Sequence, residues 1–356
     1  MMSMETTSGA TLRIIDANLN RIGEGLRVLE EVARLMLNDA VLTQQLKNMR
    51  HGMAGHDWPR QQQLLQARNS EGDVGTDMKV PGEEKQRGMP EAVVANARRV
   101  QESLRVMEEI AKTPNLGLDP EKFQKARFDL YTIEKTLISK MWRQDKIQRL
   151  PGLYVIIDTS ALRGRSHLEV ASQAIRGGAK VIQLRDKVPR KRELLTVAQD
   201  LKNLCAEQDV LFIVNDYLDV ALAIDADGLH VGQDDLPVSI ARRLLPIDKI
   251  LGCSARTAEK AVAAQSEGAD YIAVGAMYPT PSREAAEVVG PERLKQIRQA
   301  VTLPLVAIGG ISRDNLSQVL AAGADSVAVI SAVLGAEDVE EASRQIASII
   351  ERGQHE

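Results

Sequence analysis

Two kinds of hydrophobic patterning divide this chain near residue 150. Ahead of that point, apolar residues recur at helical spacing. Ile15, Ile22, Leu26, Leu29, Ala33 and Met36 step by seven and then alternately by four and three, and Val93, Ala97, Val100, Leu104, Met107 and Ala111 alternate four and three throughout. Such spacing predicts amphipathic helices with one buried stripe. Beyond it, short Val/Ile/Leu runs at 153–157, 180–184, 211–214, 228–231, 249–253, 271–274, 305–308 and 326–330 alternate with amphipathic stretches such as 192–207, 257–267 and 314–322. That alternation is the mark of repeated βα units, and glycines at Gly177-Gly178, Gly268 and Gly323 precede strands where helix-terminating residues belong. Eight units in roughly 200 residues predict an α/β architecture, a closed (β/α)8 TIM barrel. Leu150-Pro151-Gly152 breaks the preceding helix, so the expected division is an all-α domain over 1–148 and the barrel over 149–356.

The helical part repeats itself. Residues 17–34 align without gaps to 95–112 with ten identities in eighteen positions. With partner helices expected over 39–53 and 120–142, the domain reads as two related helical hairpins. Glu24, Arg27 and Glu31, and their counterparts Glu102, Arg105 and Glu109, lie at i, i+3 and i+4 spacing opposite the apolar stripe. Such a ladder is ordinarily a solvated face, and its recurrence leaves room for a symmetric site. Between the hairpins, the run Ser70-Glu71-Gly72-Asp73-Val74-Gly75-Thr76-Asp77-Met78-Lys79 has the glycines, carboxylates, hydroxyl and lysine of a loop that binds phosphate and Mg²⁺. A plain solvated connection remains the alternative.

Composition narrows the function classes. A net charge of −4 and 3% aromatic residues argue against nucleic acid as the main partner. Cys205 and Cys253 form no CxxC pair and the five histidines show no ligand spacing, so zinc is not expected. No apolar run approaches the roughly 18 residues that span a bilayer, and the first residues show no signal-peptide pattern, so no membrane association and a cytoplasmic location are expected.

Chemistry gathers at the predicted strand ends, which a barrel brings to one mouth. Asp216 and Asp235 follow the third and fourth strands. A lone Asp there is usually a helix N-cap, but two on neighbouring loops, beside Gln183, Arg185, Lys187, Asn215 and Ser254, suit a hard cation and a polyphosphate. After strands seven and eight, Gly309-Gly310 and Ile330-Ser331 match the usual phosphate position of such barrels. The loop Tyr278-Pro279-Thr280-Pro281-Ser282-Arg283 adds hydroxyls and a cation. No catalytic triad is present in the pattern.

The ordered set QLRDK, ND, GLHVGQDD, GCSART, YPTPS, AIGGI and AVISA resembles the thiamine-phosphate synthase family over essentially all of 150–356. The resemblance implies a transferase that joins hydroxymethylpyrimidine diphosphate to thiazole phosphate or its carboxylate, releases diphosphate and uses Mg²⁺. It implies that Gln183, Leu184, Arg185, Asp186, Lys187, Asn215 and Ser254 hold the pyrimidine diphosphate, and Asp216 and Asp235 the metal. Thr280, Pro281, Ser282, Gly310, Ile330 and Ser331 would hold the thiazole phosphate. Arg283 stands where the family usually carries Lys and is expected still to contact diphosphate, with Arg185 and Ser254 completing the group that acts on the reacting atoms. The helical repeat with LRVLEE and the loop EGDVGTD resembles a domain fused ahead of this synthase in some bacteria and associated with hydroxymethylpyrimidine-phosphate kinase activity, which implies ATP as a ligand. A non-catalytic dimerisation or regulatory module is the alternative for that domain, and a homo-oligomer is left open. A thiazole tautomerase-like barrel is disfavoured by Arg185, Asp216 and Asp235, because a tautomerase has no diphosphate to neutralise.

Overall fold

A computed structural model describes residues 7–53, 58–69, 88–187, 190–280 and 287–355. Two compact units divide between Trp142 and Arg143.

The first unit is helical: α1 (Gly9–Glu31), α2 (Ala40–Met53), α3 (Trp58–Ala67), α4 (Met89–Ala111) and α5 (Pro120–Gln148), whose last residues belong to the second unit. Ser8 starts α1 by accepting the Thr11 N–H at 3.1 Å. The stripes of α1 and α4 are buried together with Leu42, Leu46, Phe123, Leu130 and Leu137 in one core. Gly25 is the crossing point, because a Cβ there would meet the Val100 side chain. Met36 departs from the expected stripe and is 48% exposed. Residues Val32–Met36 form a π turn with Leu37 N–H bonded to Val32 O at 3.2 Å, and the extra residue in that turn rotates everything after Ala33 off the buried face. Helix α3 was not expected; QQQLLQ carries too short an apolar stripe.

The two copies converge on a pair of buried carboxylates. Glu30 and Glu108 occupy equivalent repeat positions and are each 3% exposed. Glu30 takes Arg27 at 3.3 Å and Arg50 at 2.8 Å, and Glu108 takes Arg105 at 2.7 Å and Arg127 at 3.0 Å. The expected surface pairs Arg27–Glu31 and Arg105–Glu109 also form.

In the second unit eight parallel strands close into a barrel in sequence order. They are β1 (Gly152–Asp158), β2 (Ala179–Arg185), β3 (Leu211–Asn215), β4 (Gly228–Val231), β5 (Ile250–Ser254), β6 (Tyr271–Val274), β7 (Leu305–Ile308) and β8 (Ser326–Val329). Helices α6 (His167–Arg176), α7 (Lys191–Glu207), α8 (Leu218–Ala223), α9 (Val238–Leu244), α10 (Ala258–Glu267), α11 (Gly290–Ala300), α12 (Leu316–Ala321), α13 (Ser331–Leu334) and α14 (Val339–His355) complete it. Every expected strand is present. Leu153, Val155, Ile182, Val214 and Leu251 pack outward against the helices, whereas Tyr154, Ile156, Val181, Ile213 and Ile250 fill the barrel.

The end opposite the strand termini is tied by a repeated device. Asp227, Asp270 and Asp325 precede β4, β6 and β8 and accept backbone N–H groups of Phe212, Leu251 and Leu305 at 3.0, 2.9 and 2.7 Å. Each also meets a cation from the helix preceding the neighbouring strand: Lys202 at 2.9 Å, Arg242 at 3.1 Å and Arg298 at 2.9 Å. Arg143 adds a second cation to Asp270 at 2.9 Å, which places the end of α5 with the barrel rather than with the helical unit. Among the described residues, no helix is long and apolar enough to cross a membrane.

Candidate active site

Strand alternation decides which residues reach the barrel mouth. Ile182 and Leu184 pack outward against the helices, so Val181, Gln183 and Arg185 face the interior. The same rule turns Asn215 inward beyond Ile213 and Ser254 inward beyond Ile250. Gln183, Arg185, Asn215 and Ser254 line a cavity of about 400 Å³ together with Lys187, Asp216, Asp235, Thr280, Gly310, Ile330 and Ser331, a size suited to small metabolites.

One wall is charged. Arg185 is ion-paired with Asp158, its register partner at the end of β1. Asp158 also accepts the Ser160 N–H at 3.0 Å, so the guanidinium is held by a carboxylate that is itself fixed. Asp216 follows β3 with φ 62°, a left-handed conformation that Asp tolerates, and donates its N–H to His230 O at 2.8 Å. Its carboxylate takes Lys187 Nζ at 2.6 Å, while Asp235 takes the Gly232 N–H at 2.8 Å.

The two carboxyl groups lie close enough to perturb each other's ionisation. Burial, and then the Asp235 neighbour, push Asp216 above the ordinary carboxylate range. Burial acts upward on Asp235 too, but hydrogen bonds from Asp216 and Gly232 outweigh it and leave that carboxyl below its ordinary value. Two neighbouring carboxylates lining an open cavity mark a position that a divalent cation fits, with oxygen donors of the kind Mg²⁺ takes. Among the described residues no group of three or more His, Cys, Asp or Glu could hold a metal. A cation here would rest on these two carboxylates, substrate oxygens and water.

The floor is a buried polar chain. Gln183 Nε2 donates to Tyr154 Oη at 2.8 Å, Tyr154 Oη lies 3.1 Å from Tyr271 Oη, and Tyr271 Oη lies 3.1 Å from His230 Nδ1. His230 Nε2 is 3.0 Å from Ser254 Oγ. Burial lowers the His230 pKa to about 4, so its ring is neutral. Gly252 permits the arrangement, since a Cβ would fall inside the Tyr271 ring. The adjacent Cys253 is no nucleophile: burial pushes its thiol up to about 11.

The facing wall is backbone. Gly309 and Gly310 follow β7 at φ 96° and 66°, and a Cβ at Gly310 would meet the carbonyls of Tyr278 and Pro279. Ile330 and Ser331 open α13. Glycine N–H groups and a helix start are the usual donors to a phosphate.

Most of the expected residues therefore meet in one cavity, with two exceptions. Leu184 packs into the outer core, because the QLRDK motif is contiguous but its side chains alternate. Asp186 lines a neighbouring groove with His167 and Arg190. Pro281, Ser282, Arg283 and the loop 70–79 lie outside the described residues. Asp158, Tyr154, His230 and Tyr271 were not singled out from the sequence. The usable signal was a polar or hydroxyl-bearing residue at an inward position of an otherwise apolar strand.

Comparison with known proteins agrees in both units. A profile for thiamine monophosphate synthase matches residues 153–333, and a profile for the ThiD2 family matches residues 13–136. The chain is 36% identical to thiamine-phosphate synthase of Thermosynechococcus vestitus, over 96% of this chain and 95% of that protein. Its counterpart in Synechocystis sp. is 38% identical over 96% and 97% respectively. A thiamine phosphate pyrophosphorylase structure from Pyrococcus furiosus is 42% identical with a TM-score of 0.53, covering 58% of this chain and 97% of that one.

Proposed function

The chain belongs to the thiamine-phosphate synthase family, and on that premise we propose how its residues divide the work. The barrel joins hydroxymethylpyrimidine diphosphate to thiazole phosphate, forming thiamine phosphate and diphosphate. The observation that carries this reading is a single cavity with Arg185, Lys187, Asp216 and Asp235 on one wall and the Gly309-Gly310 and Ile330-Ser331 backbone on the other. Two phosphorylated compounds need two such walls.

Arg185 and Lys187 bind the diphosphate and oppose the charge that grows on it as the carbon–oxygen bond breaks. Asp158 keeps Arg185 aimed. Asp216 and Asp235 would hold Mg²⁺, which supplies charge neutralisation to the leaving diphosphate. Gln183, Asn215 and Ser254 orient the aminopyrimidine, whose own electrons stabilise the carbon left behind, so no protein nucleophile is needed. Gly310, Ile330 and Ser331 fix the thiazole phosphate so that the ring nitrogen faces that carbon, and the new carbon–nitrogen bond forms by positioning. Thr280 lines the same cavity, and Pro281, Ser282 and Arg283 follow it in the sequence.

For the helical domain we infer a kinase that uses ATP to convert the pyrimidine monophosphate into the diphosphate the barrel consumes; the ThiD2 profile supports it. A non-catalytic module is the second reading, favoured by the commitment of Glu30 and Glu108 to arginine pairs. Supplying the monophosphate and ATP separates them. The reading also includes a cytoplasmic location. The barrel assignment is tested by calorimetric titration of diphosphate with and without Mg²⁺. Wild type should gain affinity with the metal, and Asp216→Asn and Asp235→Asn should each lose about tenfold or more of that gain. Equal metal-dependent affinity in all three proteins would overturn the assignment.

A further inference from the structure

The buried chain beneath the cavity has a direction. It links Gln183, Tyr154, Tyr271, His230 and Ser254 through four contacts of 2.8 to 3.1 Å. Gln183, Tyr154, Tyr271 and His230 form the floor of the cavity and are at most 7% exposed, so each of their protons is best satisfied by the neighbour next in the chain. Each hydroxyl brings one proton and neutral His brings one N–H. Because Gln183 donates to Tyr154, the Tyr154 proton must go to Tyr271 and the Tyr271 proton to His230 Nδ1. His230 then carries its proton on Nε2 and gives it to Ser254 Oγ. The proton left over is that of Ser254, and its only open side is the cavity, which Ser254 lines. The opposite His tautomer would leave the Tyr154 proton without an acceptor in the chain.

We propose that Gln183, Tyr154, Tyr271 and His230 form a one-way hydrogen-bond chain that aims the Ser254 hydroxyl proton at a lone-pair acceptor of the pyrimidine diphosphate. Ser254 is then a donor to substrate and not an acceptor; Tyr154, Tyr271 and His230 behind it are positioning residues, and Gln183 sets the polarity of the chain as well as meeting the pyrimidine. His230 remains neutral throughout, consistent with its burial, and no proton moves along the chain during turnover. A glutamate in place of Gln183 would accept instead of donate, every bond would reverse, and the Ser254 proton would turn inward to His230 Nε2. Tyr154→Phe leaves Tyr271 with His230 Nδ1 as its remaining acceptor and so keeps the tautomer, whereas Tyr271→Phe releases it.

This inference rests on the synthase reading for its kinetic half alone; its tautomer half stands independently. The experiment is NMR of the full-length protein carrying ¹⁵N-labelled histidine, with the His230 signals assigned by comparison with His230→Gln. Near neutral pH, wild type and Tyr154→Phe should show the Nε2–H tautomer, and Gln183→Glu the Nδ1–H tautomer. Synthase kinetics should then show Tyr271→Phe losing about tenfold in kcat at nearly constant KM for the diphosphate. An Nδ1–H or doubly protonated His230 in wild type, or one tautomer in wild type and Gln183→Glu alike, would overturn the proposal. Absent synthase turnover with the Nε2–H tautomer in place would instead defeat the functional reading and leave the chain intact.

Discussion

Asp158→Asn tests whether the active site depends on how Arg185 is held. The substitution preserves shape and an oxygen toward Ser160 but removes the charge that faces the guanidinium. The Arg185 side chain is 21% exposed and that of Asp158 6%, so solvent screens the pair weakly. A hydrogen bond to a charged group contributes about 1.5–3 kcal/mol, against about 1 kcal/mol between neutral groups, so Asn weakens the restraint by about 1–2 kcal/mol. Where that restraint is realised in the transition state, kcat falls roughly 5- to 30-fold. Ground-state attraction moves the other way. Arg185 without its carboxylate is a less neutralised cation, so KM for the pyrimidine diphosphate should stay level or drop. Steady-state kinetics with both substrates at saturating Mg²⁺ read the two parameters separately. A folded Asp158→Asn enzyme with kcat within about twofold of wild type, or with KM raised and kcat unchanged, would refute the argument.

Other predictions follow from the same geometry. Glu108→Ala takes from Arg127, whose side chain is 15% exposed, its charged partner and leaves it the Tyr131 hydroxyl at 3.1 Å, and should cost about 1–3 kcal/mol in urea unfolding of the helical domain; Glu109→Ala, on the solvated face, should leave the midpoint unchanged. For Asp39, burial raises the carboxyl, but hydrogen bonds from Lys140 and the Leu42 N–H outweigh it and hold the pKa below its ordinary value. The stabilisation is therefore present above the unfolded-state pKa and lost as pH falls through the folded one. The stability gap between wild type and Asp39→Asn should be full at neutral pH and close below about pH 4. Gly252→Ala drives a methyl into the Tyr271 ring, so it should lower stability by about 1–3 kcal/mol in thermal unfolding and reduce kcat through the displaced tyrosine.

Much of the barrel was legible because its strands announce themselves twice, by apolar runs and by the glycines that end the helices before them. Gly268 ends α10 in the left-handed conformation at φ 102°. The charged wall was legible too, since Arg185, Asp216 and Asp235 fall at strand ends where nothing structural demands that combination. Asp158 was not, because an Asp followed by Thr-Ser reads as a simple cap, and it is one. Its second role depends on lateral register with Arg185, which no single strand encodes. Tyr154, His230 and Tyr271 were hidden for a related reason: each is one residue in an apolar strand, and their chain exists only after the barrel closes. Leu184 shows the alternation from the other side: it belongs to the contiguous QLRDK motif, but its side chain packs into the outer core away from the mouth. In the helical unit the stripe reached Ala33 and then failed at Met36, because apolar spacing does not reveal a π turn.

The most direct test of the account is turnover by the purified full-length protein given hydroxymethylpyrimidine diphosphate, thiazole phosphate and Mg²⁺, with products followed by mass spectrometry. The account predicts thiamine phosphate and diphosphate in equal amounts, and loss of both when Asp216 and Asp235 are replaced together by Asn. No thiamine phosphate from the folded wild-type protein, or undiminished synthesis by the double variant, would contradict it.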